Sequence, residues 1–196
     1  MINKKLVFIA PLLLLFFTAC DTFNGSGETR SGVILTVDSV VLNDGAGELA
    51  TINEDTGSVT AESDTVSITL SNRPKNSALE DSTWLDIITD EYQVTFYRSD
   101  GGSAVPNSIR QKITYTIAFD DDLNISALTI LSAEQKLEYP LWDLAVNGYD
   151  SETKMPAIEM NVMIEFFGHL VSGETVYAKG WTSLTYYSTV SGKRGL

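Results

Sequence analysis

From Val33 onward the chain alternates apolar and polar residues with a period of two. Val66, Ile68 and Leu70 are spaced by Ser67 and Thr69. Tyr92, Val94 and Phe96 are spaced by Gln93 and Thr95. Ile113, Tyr115, Ile117 and Phe119 are spaced by Thr114, Thr116 and Ala118. Ile158, Met160, Val162, Ile164 and Phe166 are spaced by Glu159, Asn161, Met163 and Glu165. Successive side chains of a strand point to opposite faces, so this alternation predicts antiparallel strands with one face on a core. Further strands are predicted at Val33–Leu42, Leu123–Leu131 and Thr175–Tyr187. The Leu123 strand changes phase, with Leu123 and Ile125 on one face and Leu128 and Ile130 on the other. A bulge near Ser126 would allow this.

Turn residues punctuate the runs: Asn43-Asp44-Gly45, Asp55-Thr56-Gly57, Asn72-Arg73-Pro74, Asp100-Gly101-Gly102, Asp120-Asp121-Asp122 and Ser172-Gly173. Helix is expected only as a turn or two, around Ser132–Lys136 or Leu141–Val146. The predicted fold class is all-β, an antiparallel β-sandwich of about eight strands over residues 33–190. Residues 191–196 form a C-terminal tail. The strand rhythm resembles the immunoglobulin-like or fibronectin-type domains of exported bacterial lipoproteins. The Cys…Trp…Cys signature of antibody domains is missing.

The amino-terminal segment has a different pattern. Lys4 and Lys5 precede an apolar run from Leu6 to Phe17, then Thr18 and Ala19, then Cys20. That order describes an export signal, too short and wrongly flanked for a spanning helix. Phe16-Phe17-Thr18-Ala19-Cys20 resembles the lipobox of bacterial lipoproteins, with Phe17 where that family usually carries leucine. The resemblance implies cleavage before Cys20, diacylation of its thiol and anchoring in the cell membrane or outer membrane. The domain would then sit in the periplasm or on the cell surface. Residues 1–19 are read as the signal peptide. Residues 20–32, rich in Gly and Ser, form a tether with a reach of roughly 20 Å. Two or three acyl chains, at roughly 0.8 kcal/mol per buried CH2, hold a domain where one would not.

Charge narrows the partners. The chain has 13 basic and 26 acidic residues and a formal charge of −13. This argues against nucleic acid and against docking on anionic headgroups. Cys20 is the one cysteine, so the chain can form no internal disulfide.

Candidate chemistry is sparse. His169 is the one histidine, at the end of a predicted strand, which leaves too few ligands for a zinc site of the usual kind. No Gly-x-Ser-x-Gly elbow accompanies it. Gly45-Ala46-Gly47-Glu48-Leu49-Ala50 has the letters of a dinucleotide fingerprint but no helix after it, so a hairpin turn is expected. Glycosidase chemistry needs two carboxyls about 5 to 10 Å apart beside a cleft, and no pair stands out. Asp120, Asp121, Asp122 and Asn124 are the best oxygen ligands for calcium, at a spacing that fits no EF-hand loop. Asn53, Glu54 and Asp55 are a weaker set. Otherwise no cofactor is expected.

Aromatic residues supply the remaining candidate. Tyr97, Phe167, Tyr177, Trp181 and Tyr187 fall on the off-core phase of their strands, where they could bind carbohydrate or another envelope protein. The alternative is that residues 46–62 or 137–143 cover them. Gly180 leaves room for a neighbouring segment to approach, which favours burial of Trp181. The expected function is that of a lipid-anchored, non-catalytic binding or structural module. The rivals are a calcium-binding adhesion-type domain and a hydrolase with a shallow cleft.

Overall fold

A computed structural model describes residues 31–53 and 55–188. Nine strands lie among them: β1 (Val33–Leu42), β2 (Thr51–Ile52), β3 (Val59–Thr60), β4 (Asp64–Pro74), β5 (Ile87–Arg98), β6 (Ile109–Ile117), β7 (Asp122–Leu131), β8 (Ala157–Leu170) and β9 (Thr175–Tyr187). Two short helices, α1 (Ala133–Lys136) and α2 (Leu141–Asn147), follow β7. All strand pairs are antiparallel. One sheet has the order β1-β4-β7, the other β6-β5-β8-β9, and β2 and β3 form a small ribbon.

The two larger sheets bury their inner faces against each other in one core. Val33, Leu35, Val66, Ile68, Leu70, Leu128 and Ile130 come from the first sheet. Tyr92, Val94, Phe96, Ile158 to Phe166 at alternate positions, Val176, Ala178, Leu184 and Tyr186 come from the second. At about 25 cal/mol per Å2, this apolar burial is the main force holding the layers together. Polar pins cross the interface as well. The Tyr92 hydroxyl on β5 lies 2.8 Å from the Thr129 carbonyl on β7 and 2.7 Å from the Gln111 side chain. Asn72 on β4 donates to the Ile117 carbonyl on β6 at 3.2 Å and to that of Leu85 at 2.9 Å. These bonds satisfy groups that would be costly to bury alone.

The strands at Val33–Leu42 and Thr175–Tyr187 have the bounds their sequences predict. The phase change in β7 is a bulge. Val66 pairs with Leu128 and Ile68 with Ile125, so Ser126 and Ala127 together face Ser67. Both helical sites are occupied. Ser132 caps α1, accepting from the Gln135 N–H at 3.3 Å while the Gln135 side chain accepts from the Ser132 N–H at 3.0 Å.

Two expectations need correction. Strand β6 is less buried than its alternation implies: Ile117 is buried, Ile113 is half-buried and Tyr115 is exposed. It forms the edge of a four-stranded sheet facing one of three, so part of it lacks a covering layer. Ser31 and Gly32 pack with the domain instead of the tether. Ser31 is buried with its hydroxyl on the Val33 carbonyl, and the Gly32 carbonyl accepts from the Lys75 N–H at 3.0 Å.

Candidate functional site

The outer face of the four-stranded sheet carries the aromatic residues. Pairing places Met163 beside Trp181, Asn161 beside both Tyr97 and Ser183, and Phe167 beside both Glu91 and Tyr177. Strand parity then sends Gln93, Thr95, Tyr97, Asn161, Met163, Phe167, Tyr177, Trp181, Ser183 and Tyr187 to one side. Tyr97 and Trp181 are each 44% exposed and Tyr177 is 41% exposed. Tyr187 is more exposed still, and Phe167 is half-buried.

Tyr97 and Trp181 reach across β8 from opposite sides. Their ring centroids are 5.6 Å apart with planes tilted by 40°, a spacing that favours aromatic pairs. Met163, paired in register with Trp181, shares this face and is half-buried. Asn161 and Ser183 form the pair's polar border, with the Ser183 hydroxyl donating to Asn161 Oδ1 at 3.0 Å. Phe167 and Tyr177 form a second patch farther along the sheet. The Arg110 guanidinium sits 6.0 Å from the centre of the Phe167 ring and pairs with Glu91, Nε to Oε2 at 3.0 Å. The hydrogen bond from Arg110 holds the Glu91 carboxyl below its ordinary range. Glu165 and Lys179 lie between the patches, and Tyr187 stands at the far end of β9 beside Ala157.

Trp181 is therefore not covered, against the expectation drawn from Gly180. Gly180 does admit another segment, but on the opposite face. A Cβ there would lie 2.6 Å from Val37 Cγ1 and 2.8 Å from Val40 Cγ2, so β1 packs on the inward side of Gly180. The segments expected to cover the aromatics instead join the core, through Leu49 and Leu141.

The acidic turn is divided among other partners. Arg73 pairs with Asp120 at 3.6 Å and with Asp122 at 2.5 Å. Asp122 Oδ1 also accepts from the Ser71 hydroxyl at 2.6 Å. Asp121 caps the N–H of Asp122, and Asn124 accepts from Thr69 at 2.8 Å. No group of three or more His, Cys, Asp or Glu side chains among the described residues could hold a metal. His169 Nδ1 lies 2.9 Å from Asp90 Oδ2 at the sheet end. Cys20 and Glu54 lie outside the described residues.

Sequence reasoning missed Met163, Asn161 and Ser183 as members of the face. Each is ordinary in its own strand. They become neighbours of Tyr97 and Trp181 through the register of three strands distant in sequence. No family model, curated protein or solved structure matches the chain.

Proposed function

We propose that this protein is a lipid-anchored envelope lipoprotein whose β-sandwich is a non-catalytic binding module for neutral carbohydrate. The recognition surface is the outer face of the four-stranded sheet. The Tyr97–Trp181 pair, exposed and in mutual ring contact, carries this reading. Rings held open to water on a rigid sheet leave apolar area uncovered, and they offer faces on which the C–H side of a sugar ring stacks. Asn161, Ser183, Thr95 and Gln93 beside them supply amide and hydroxyl groups that match sugar hydroxyls. The net charge of −13 favours a neutral polymer over an anionic one. The anchor is Cys20 in its lipobox-like setting.

Calorimetric titration of the chain with neutral polysaccharides tests the reading. At least one should bind the native protein, and Tyr97→Ser with Trp181→Ser should remove that binding while preserving the fold. Equal binding by the double variant contradicts the assignment. The anchor has its own test: Cys20→Ala should move the protein from the membrane fraction to the soluble one or leave it unprocessed. A processed variant that stays on membranes through a high-salt wash removes acylation as the tether.

A further inference from the structure

The molecule contains an ion pair shut away from water at a distance from the aromatic face. Asp64 opens β4, Lys136 closes α1, and Tyr186 lies near the end of β9. All three are at most 1% exposed. Lys136 Nζ is 2.7 Å from Asp64 Oδ1 and 2.6 Å from the Glu48 carbonyl oxygen. Tyr186 donates its hydroxyl hydrogen to Asp64 Oδ2. The Gly47 N–H donates to Asp64 Oδ1 at 3.0 Å. Such a pair gives up the hydration of two ions, a cost that neutral groups of the same shape avoid.

We infer that Lys136 and Asp64 become joined by an intramolecular amide bond once the chain has folded. Within the pair, one proton passes from Nζ to the carboxylate and comes to rest on Oδ2, leaving an amine and a carboxylic acid. The nitrogen lone pair attacks Cγ of Asp64 and forms the N–C bond. The Gly47 N–H stabilises the negative charge that develops on Oδ1. Tyr186 protonates Oδ2, the Cγ–Oδ2 bond breaks, and water leaves. The attacking nitrogen sheds a proton that restores the Tyr186 hydroxyl. The sum is ammonium plus carboxylate going to amide plus water, with no oxidant or reductant.

The surroundings suit this step. Glu48 holds the nitrogen in place through its carbonyl, and the amide N–H of the product continues to donate to it. The remaining Oδ1 continues to accept from Gly47. That N–H is delivered by a turn in which Gly47 has φ +89°, and a Cβ there would lie 3.0 Å from the Thr185 carbonyl. The Gly45-Ala46-Gly47-Glu48 sequence thus supplies both backbone groups of the site. Burial raises the Tyr186 phenol well above its usual value, so the hydroxyl keeps its proton and stays a hydrogen-bond donor to Oδ2. The bond would tie the start of β4 to α1 in a chain whose one cysteine rules out an internal disulfide.

Mass spectrometry of a tryptic digest of the full chain decides the matter. The expected product is a branched species joining the Asp64 and Lys136 peptides, lighter than their sum by one water, with no cleavage after Lys136. Tyr186→Phe, which keeps the ring in the core, should slow formation of the linkage on the order of a hundredfold. Lys136→Met should give unlinked peptides and a lower denaturation midpoint. Recovery of both native peptides unlinked, with cleavage after Lys136, overturns the bond. Linkage of Tyr186→Phe at the native rate overturns the role given to the phenol.

Discussion

Gly180 and Trp181 are adjacent in sequence and face opposite ways, so substitutions at the two sites should have different consequences. Gly180→Ala places a methyl group against Val37 and Val40. Overpacking of this kind costs about 1 to 3 kcal/mol, and a denaturant melt should show it. Trp181→Ala removes a side chain that is 44% exposed and rests on one neighbouring ring, so its melt should shift by less than about 1 kcal/mol. A reversed ranking would place Trp181 in the core. The sequence carried the information that Gly180 is a point of close approach. It also carried the parity that turns Trp181 away from that approach. Proximity along a strand does not make a shared face: the close approach at Gly180 is on the inward side, and Trp181 is exposed on the other. The exposure of Tyr97 and Tyr177 follows the alternation directly. The Tyr97–Trp181 contact depends on pairings across β5, β8 and β9, which no local pattern specifies.

At the scale of the element, strand alternation was informative wherever a strand has a layer above it. In β4, β5 and β8 the apolar phase is the buried phase. The bulge at Ser126 was legible because an extra residue reverses the phase of everything after it. Edge strand β6 has the same alternation without the same burial, since period two reports which residues share a face and not what covers that face. The sheets are also joined by bonds that pattern does not reveal. Tyr92 reads as another apolar ring, yet burial pushes its phenol up to about 12 and it meets the Thr129 carbonyl of the opposite sheet. Tyr92→Phe should therefore cost about 0.5 to 1.5 kcal/mol, the net worth of one part-buried hydrogen bond. A melt unchanged from native would mean that the bond contributes nothing net.

For the whole molecule, acidity sets both partner choice and pH response. Most of the 26 acidic residues are solvated, but Asp100 and Asp150 lie against the buried Arg98 guanidinium, at 2.6 and 3.0 Å, and join the loops at one end of the sandwich. Burial acts to raise Asp100, but Arg98 and the N–H groups of Glu159 and Gly102 overcome it and hold the carboxyl at about 2. Asp150 is lowered in the same way against its own burial, by Arg98 and Thr153. A carboxyl depressed on folding stabilises the fold above its unfolded value of 3.8, and that contribution drains away as pH falls toward 2. Asp100 should account for about 1 to 2 kcal/mol of this loss after solvent screening. Melts at stepped pH should show a loss over that window that shrinks in Asp100→Asn. The central claim, that the aromatic sheet face recognises neutral carbohydrate, is tested most directly by comparing two tryptophans. Trp84 is exposed, in a turn outside that sheet, while Trp181 stands on its outer face. In gels containing the bound polysaccharide, native protein and Trp84→Ser should be retarded alike, and Trp181→Ser should migrate as it does without polysaccharide. Equal retardation of all three would contradict the account.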